Sequence, residues 1–223
     1  MWERIKEYFK EHSRTEKKKL SEMSFSEKCA YIWEYYKLQI IGFIILVAVV
    51  ASIVHNALNP PLPAFAGAGF YEIYFSDAFY EGLKDKITDT LIADPEAEEF
   101  YIHQLVSGDD PSMEMAIAQK LMAMVMVNEI DFIIATGDYF ASFAYQDFFL
   151  SLDETDIKIP EALLFYSESS ENPAELPYGA NLINSALFRE LGVAGGVDIY
   201  IGVISNTIRM DNVKAIFDLL FAE

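Results

Sequence analysis

Cysteine is almost missing from this chain, with Cys29 the only one in 223 residues. The 165 residues after position 58 therefore hold no thiol, which excludes a disulfide, a cysteine nucleophile and a thiolate metal site there. Bases are few as well, with 16 Lys and Arg against 35 Asp and Glu. Histidine occurs three times, and His103 stands inside a predicted strand with no HxxxH, CxxC or carboxylate partner at ligand spacing. It reads as structural. GxSxG, the P-loop, GxGxxG and HExxH are all missing, so none of the common catalytic signatures is met. Acid pairs are plentiful, but a chain with this many carboxylates yields them by chance. No enzyme, metal or cofactor is expected.

One long stretch lacks charge altogether. Residues 38–58, LQIIGFIILVAVVASIVHNAL, contain no Asp, Glu, Lys or Arg. As a helix they reach roughly 31 Å, about the thickness of a bilayer's hydrocarbon core. A cleavable signal would start nearer the amino terminus and end in small residues, whereas Asn59-Pro60-Pro61 follows here. The expectation is a single transmembrane helix. Residues 1–37 hold nine of the 16 bases, and the residues beyond 58 hold seven bases against 28 acids, a formal charge of −21. Positive residues stay on the cytoplasmic side, so the expected location is the cell membrane, amino terminus cytoplasmic and carboxyl domain extracytoplasmic. An exterior this acidic repels nucleic acid and anionic head groups.

Residues 1–37 read as a cytoplasmic amphipathic segment, with Trp2, Ile5, Tyr8 and Phe9 at helical spacing among charges. Ser24-Phe25-Ser26-Glu27 has the form of a capping box, which predicts a helix from about Phe25 into the membrane. Tyr31, Trp33, Tyr35, Tyr36 and Lys37 along it form an interfacial belt.

Residues 59–68 are expected to be an extended stalk, prolines first and then small residues. The extracytoplasmic domain would occupy 69–223. FYEIYF (70–75) reads as strand one, with Ser76 capping a helix over 77–92, and EFYIHQL (99–105) as strand two. Asp110-Pro111 opens a helix to about Val127, which Asn128 ends in the left-handed conformation. The five methionines 113, 115, 122, 124 and 126 go round that helix, predicting that it lies buried beneath the sheet. IDFIIA (130–135) is a third, central strand, and Asp138 opens a helix to Tyr145. Residues 162–166 read as a strand, Pro177-Tyr178-Gly179 as a turn, DIYIGVIS (198–205) as a late strand and Asp211 as the cap of a last helix.

The β-α-β-α-β-α series predicts an α/β fold: a mostly parallel sheet, order 2-1-3 then the late strand, with helices on both faces. Ligands of such sheets bind at the carboxyl ends of the strands. The candidates there are Ser76 and Asp77, then Gly108, Asp109 and Asp110, then Thr136, Gly137 and Asp138, with Tyr178 and Asn206 from later segments. The acids among them favour a cation, an amine or a sugar over a phosphate.

Residues 120–153 resemble a segment of bacterial extracellular solute-binding proteins. The matching positions are Ile130-Asp131-Phe132-Ile133-Ile134, Phe140, Ala144 and Leu150-Ser151-Leu152-Asp153. Residues 28–37 running into the span also resemble a group of single-pass membrane proteins of Gram-positive anaerobes. The resemblance implies a solute-binding-like lobe outside the cell, but such receptors close two lobes and this exterior has room for one. Partners would be the lipid bilayer and another membrane protein or a second copy of the chain. Two roles follow. One is a single-lobe binding module, a sensor or transporter accessory with an unidentified small-molecule ligand; the other is a non-catalytic structural or interaction protein of the cell envelope. Phe75, Tyr139, Phe140 and Tyr178 discriminate between them: lining a pocket favours the first role, packing in the core the second.

Overall fold

The computed structural model describes Trp2 and residues 24–58, 60–108, 110–182, 185–193 and 198–222. The chain divides into two compact units, Met1–Pro61 and Leu62–Glu223.

The long helix described in the first unit is α1 (Phe25–Leu58). The capping box forms: the Ser24 amide donates to the Glu27 carboxylate at 2.8 Å, and the Glu27 amide donates to the Ser24 hydroxyl at 3.4 Å. Within α1, Tyr36–His55 is long and apolar enough to cross a membrane, with mean hydropathy 2.5 and no residue buried. Trp33, Tyr36 and Lys37 are exposed at its start, and Tyr31 and Tyr35 share the helix, their side chains lying outside the described set. The amphipathic segment expected amino-terminal to residue 24 lies, apart from Trp2, outside the described residues too.

The second unit runs β1 (Ala64–Tyr71), α2 (Asp77–Leu91), β2 (Glu99–Leu105), α3 (Pro111–Met126), β3 (Phe132–Thr136) and α4 (Gly137–Tyr145). Two short 3-10 turns, Leu152–Glu154 and Glu161–Leu163, lead into β4 (Leu164–Ser167), β5 (Leu176–Asn181), α5 (Ala186–Glu190), β6 (Ile199–Val203) and α6 (Met210–Leu220). Local signals set several boundaries. Ser76 accepts from the Phe79 amide at the start of α2, Asp110 accepts from the Ser112 amide at the start of α3, and Asn128 ends α3 with φ 57°. The last helix starts earlier than expected, at Met210, so Asp211 lies in its first turn.

One six-stranded sheet has the order β2-β1-β3-β6-β5-β4. β1 pairs in parallel with β2 and β3, giving the expected 2-1-3 order with the late strand β6 beside the third. β6 joins β3 antiparallel, and β5 and β4 extend the sheet antiparallel beyond it. Side chains alternate between two cores. Ala66, Ala68, Phe70, Phe132 and Ile134 face a core closed by α2, α5 and α6; Tyr71, Ile133 and Ala135 face one closed by α3 and α4. Helices therefore cover both faces.

Further expectations need correction, among them strand one, which ends at Tyr71 and not at Phe75. Residues 64–68, expected in the stalk, belong to β1. Gly67 marks a crowded point of that strand: a Cβ there would sit 1.8 Å from the Glu129 carbonyl oxygen, so only glycine lets the α3–β3 connection cross. Pro177-Tyr178-Gly179 lies within β5, and a Cβ on Gly179 would come within 2.3 Å of the Phe140 ring. Nor is α3 buried beneath the sheet. Leu121 and Met124 pack inward, while Met113, Met115, Met122 and Met126 are exposed.

Candidate functional site

The parallel strands place their carboxyl ends, Tyr71, Leu105 and Thr136, along one edge of the sheet. The backbone turns sharply just beyond β1. Glu72 takes φ 47°, its amide donates to the Leu105 carbonyl at 2.9 Å, and its carboxylate accepts from the Ser107 amide at 3.0 Å. Glu72 thus ties the end of β1 to the loop after β2. Sequence reasoning missed it, because its partners are 33 and 35 residues away in the chain.

The candidates at this edge have occupations of their own. Ser76 uses its hydroxyl to cap α2, and Asp77 is exposed beside it. Gly108 turns the loop with φ 66°, and Asp110 caps α3, accepting from both the amide and the hydroxyl of Ser112. Those two hydrogen bonds, the hydroxyl's first, hold the Asp110 carboxyl below its ordinary 3.8. Asp109 lies outside the described residues. Thr136 precedes α4 without a side-chain cap, Gly137 and Asp138 begin that helix, and Asp138 is exposed.

Tyr139 packs edge-on against Tyr71 at 5.3 Å. Burial pushes the Tyr139 phenol up, and the charges of Glu72, Glu114 and Asp138 add to the shift. Three carboxylates therefore converge around one tyrosine, and no group of acids, histidine or cysteine able to hold a metal occurs among the described residues.

Two candidates lie elsewhere. Asn206 follows β6, which runs antiparallel to β3, so it emerges at the opposite edge and donates to the Val125 carbonyl at the end of α3 at 2.9 Å. The expectation of a carboxyl-end site residue treated the late strand as parallel. Tyr178 is 5% exposed in the middle of β5, in the core beneath α3 and α4.

The discriminating aromatics are packed. Phe75 lies against Phe79 at 4.3 Å and Phe188 at 6.1 Å. Phe140 is fully buried, stacked on Phe149 at 4.5 Å and seated over Gly179 and Gly202. Tyr139 covers Tyr71, and Tyr178 is internal. Two cavities, of about 240 and 310 Å³, are lined by other residues, the first including Leu163, Ser185 and Leu220 and the second Ile208 to Asn212.

Among the described residues, a dense polar network lies at the opposite edge. Asp131 is fully buried, and its carboxylate accepts from the Gly67 amide at 2.7 Å, the Thr207 hydroxyl at 2.6 Å and the Arg209 guanidinium at 2.9 Å. Arg209 also donates to the Asn128 carbonyl. Each acceptor is matched, which is what makes a buried charge tolerable. The arrangement is closed and braces the structure. Asp131 is visible in the sequence as an acid at the head of an apolar strand, but Thr207 and Arg209 are not.

The chain matches no protein-family model and no curated protein. Among solved structures it is similar to an extracellular solute-binding protein family 1 from Alicyclobacillus acidocaldarius subsp. acidocaldarius DSM 446, at 14% identity and a TM-score of 0.35. The match covers 55% of this chain and spans 28% of that protein, a distant structural resemblance.

Proposed function

We propose that this protein is a membrane-tethered, non-catalytic binding lobe whose ligand is another protein of the cell envelope rather than a small solute. The observation that carries the reading is the packing of Phe75, Tyr139, Phe140 and Tyr178. The aromatic groups that would line a solute cleft are instead spent on the two cores. The edge they leave behind presents Asp77, Asp110 and Asp138 to solvent. Two cavities of about 240 and 310 Å³ sit at or below the small end of ligand pockets, which run from roughly 300 to 1,000 Å³.

The tether is α1, spanning the membrane with its basic side in the cytoplasm and the acidic lobe outside. Anchoring raises the lobe's effective concentration near other membrane proteins, so a modest contact surface suffices.

The test is thermal unfolding of the full chain in lipid nanodiscs against sugars, amino acids, polyamines and calcium at millimolar concentration. The expected result is an unchanged melting temperature throughout. A ligand at 100 times its dissociation constant would stabilise by about 2.7 kcal/mol, a rise of several degrees. Such a rise with any of these solutes would overturn the reading in favour of solute capture.

A further inference from the structure

The outward face of α3 is the least expected surface of the lobe. Met115, Gln119, Met122 and Met126 follow one another at steps of four, three and four residues, so they form one stripe along the helix, with Ala116 and Ala123 beside it. The three methionines are 69%, 51% and 78% exposed. The opposite side of the same helix, through Leu121 and Met124, is what holds α3 on the sheet. The lobe's packing is thus already met without the stripe. Methionine is unbranched and polarisable, and it suits surfaces that adapt to a partner. Over 11 residues the stripe is about 16 Å long, the length of three turns of a second helix.

Charge selects the occupant. Asp110 and Glu114 lie at the amino end of α3, with Glu72 and Asp138 close enough to join Glu114 in acting on Tyr139. Glu129 is exposed just past the other end, and Lys120 is the one base on the helix. A second copy of the chain would bring an equally acidic rim against this one, and an anionic lipid surface would be repelled in the same way. A helix with an apolar ridge flanked by lysine and arginine meets both the stripe and its rim. We propose that the exposed face of α3 is the docking site for a basic amphipathic helix of a partner protein. The proposal rests on the reading of the lobe as a protein-binding module and names the chemistry of its partner.

The probe is a 14-residue leucine-lysine peptide patterned as an amphipathic helix, with a leucine-glutamate peptide of the same apolar ridge as its counterpart. Binding to the full chain in zwitterionic nanodiscs is read by fluorescence anisotropy, with empty nanodiscs subtracted. The basic peptide is expected to bind and to weaken as salt rises, and the acidic one to bind at least tenfold less well. Met115→Gln with Met122→Gln should weaken the basic peptide about tenfold without changing the melting temperature, since both side chains are exposed. Methionine oxidation by dilute peroxide supplies a direct footprint: peptide should slow sulfoxide formation at Met115, Met122 and Met126 and leave buried Met124 unchanged. Equal binding of the two peptides, full affinity in the double variant, or no protection of the stripe would each overturn the proposal. So would self-association of the full chain that the double variant abolishes, since that assigns the face to a second copy. Failure of the peptide with no solute shifting the melting temperature rejects the docking face alone; a solute-induced shift rejects the protein-binding reading itself.

Discussion

His103 lies half-buried on β2, its ring stacked on that of Tyr101 two residues earlier, with centroids 6.4 Å apart. Burial holds its pKa below the ordinary 6.5; the Glu129 charge works against that shift and the Lys120 charge with it. The unfolded chain therefore takes up this proton more readily than the folded one. The stability His103 contributes is fully present above about pH 6.5 and declines as pH falls from there towards the folded pKa. Carboxyls titrate lower: the Lys84 ammonium beside Glu99 holds it below 4.5, and Ser169 and Ser170 hold Asp147 below 3.8. Their stability is lost only as pH falls below those values, so the two windows separate. His103→Gln is expected to flatten the decline in urea midpoint between about pH 7.5 and 5.5. An unchanged slope in the variant would remove His103 as its source.

The Asp131 network works at the scale of elements, because its members come from β1, the α3–β3 connection and the loop before α6. Arg209→Ala leaves a fully buried carboxylate with only the Gly67 amide and the Thr207 hydroxyl. Breaking a buried ion pair from one side costs about 3–5 kcal/mol, and the low end applies because the Arg209 side chain is 17% exposed. Chemical denaturation of the variant measures this; a loss below about 1 kcal/mol would make the pair a surface-like contact. What the sequence disclosed follows the same division between local and distant. Ser24, Ser76, Asp110 and Asn128 act on amides or backbone angles within a few residues, so their roles were readable. Strand order 2-1-3 was readable too, because right-handed crossovers leave few alternatives. The direction of β6 was not, and Asn206 went to the wrong edge with it. Gly67 looked like part of a linker because the crowding that requires it comes from Glu129, 62 positions on. The apolar composition of α3 implied burial, yet its sheet contact needs only Leu121, Met124 and their partly buried neighbours. At the candidate site Ser76, Asp77, Gly108, Asp110, Thr136, Gly137 and Asp138 do follow the carboxyl ends of the parallel strands, whereas Tyr178 and Asn206 do not, and the engagement of Ser76, Gly108 and Asp110 in caps and turns depends on contacts that no motif encodes.

For the whole molecule, charge distribution carries the proposed orientation. Cys29 is the only thiol, so a membrane-impermeant maleimide reports the side on which it lies. In intact cells Cys29 is expected to stay unlabelled until the membrane is permeabilised, whereas a cysteine from Ser205→Cys, at an exposed turn of the lobe, is labelled at once. Labelling of Cys29 in intact cells would invert the orientation. The Asp131–Arg209 pair also sets a schedule. Arg209 is made 78 residues after the aspartate it neutralises, an interval of roughly 4–16 s at ordinary synthesis rates of about 5–20 residues per second. Through that interval the carboxylate has no counterion, and β3 also waits for β6 on its far side. The half of the lobe made first therefore cannot finish before the half made last, and it emerges with its strands open.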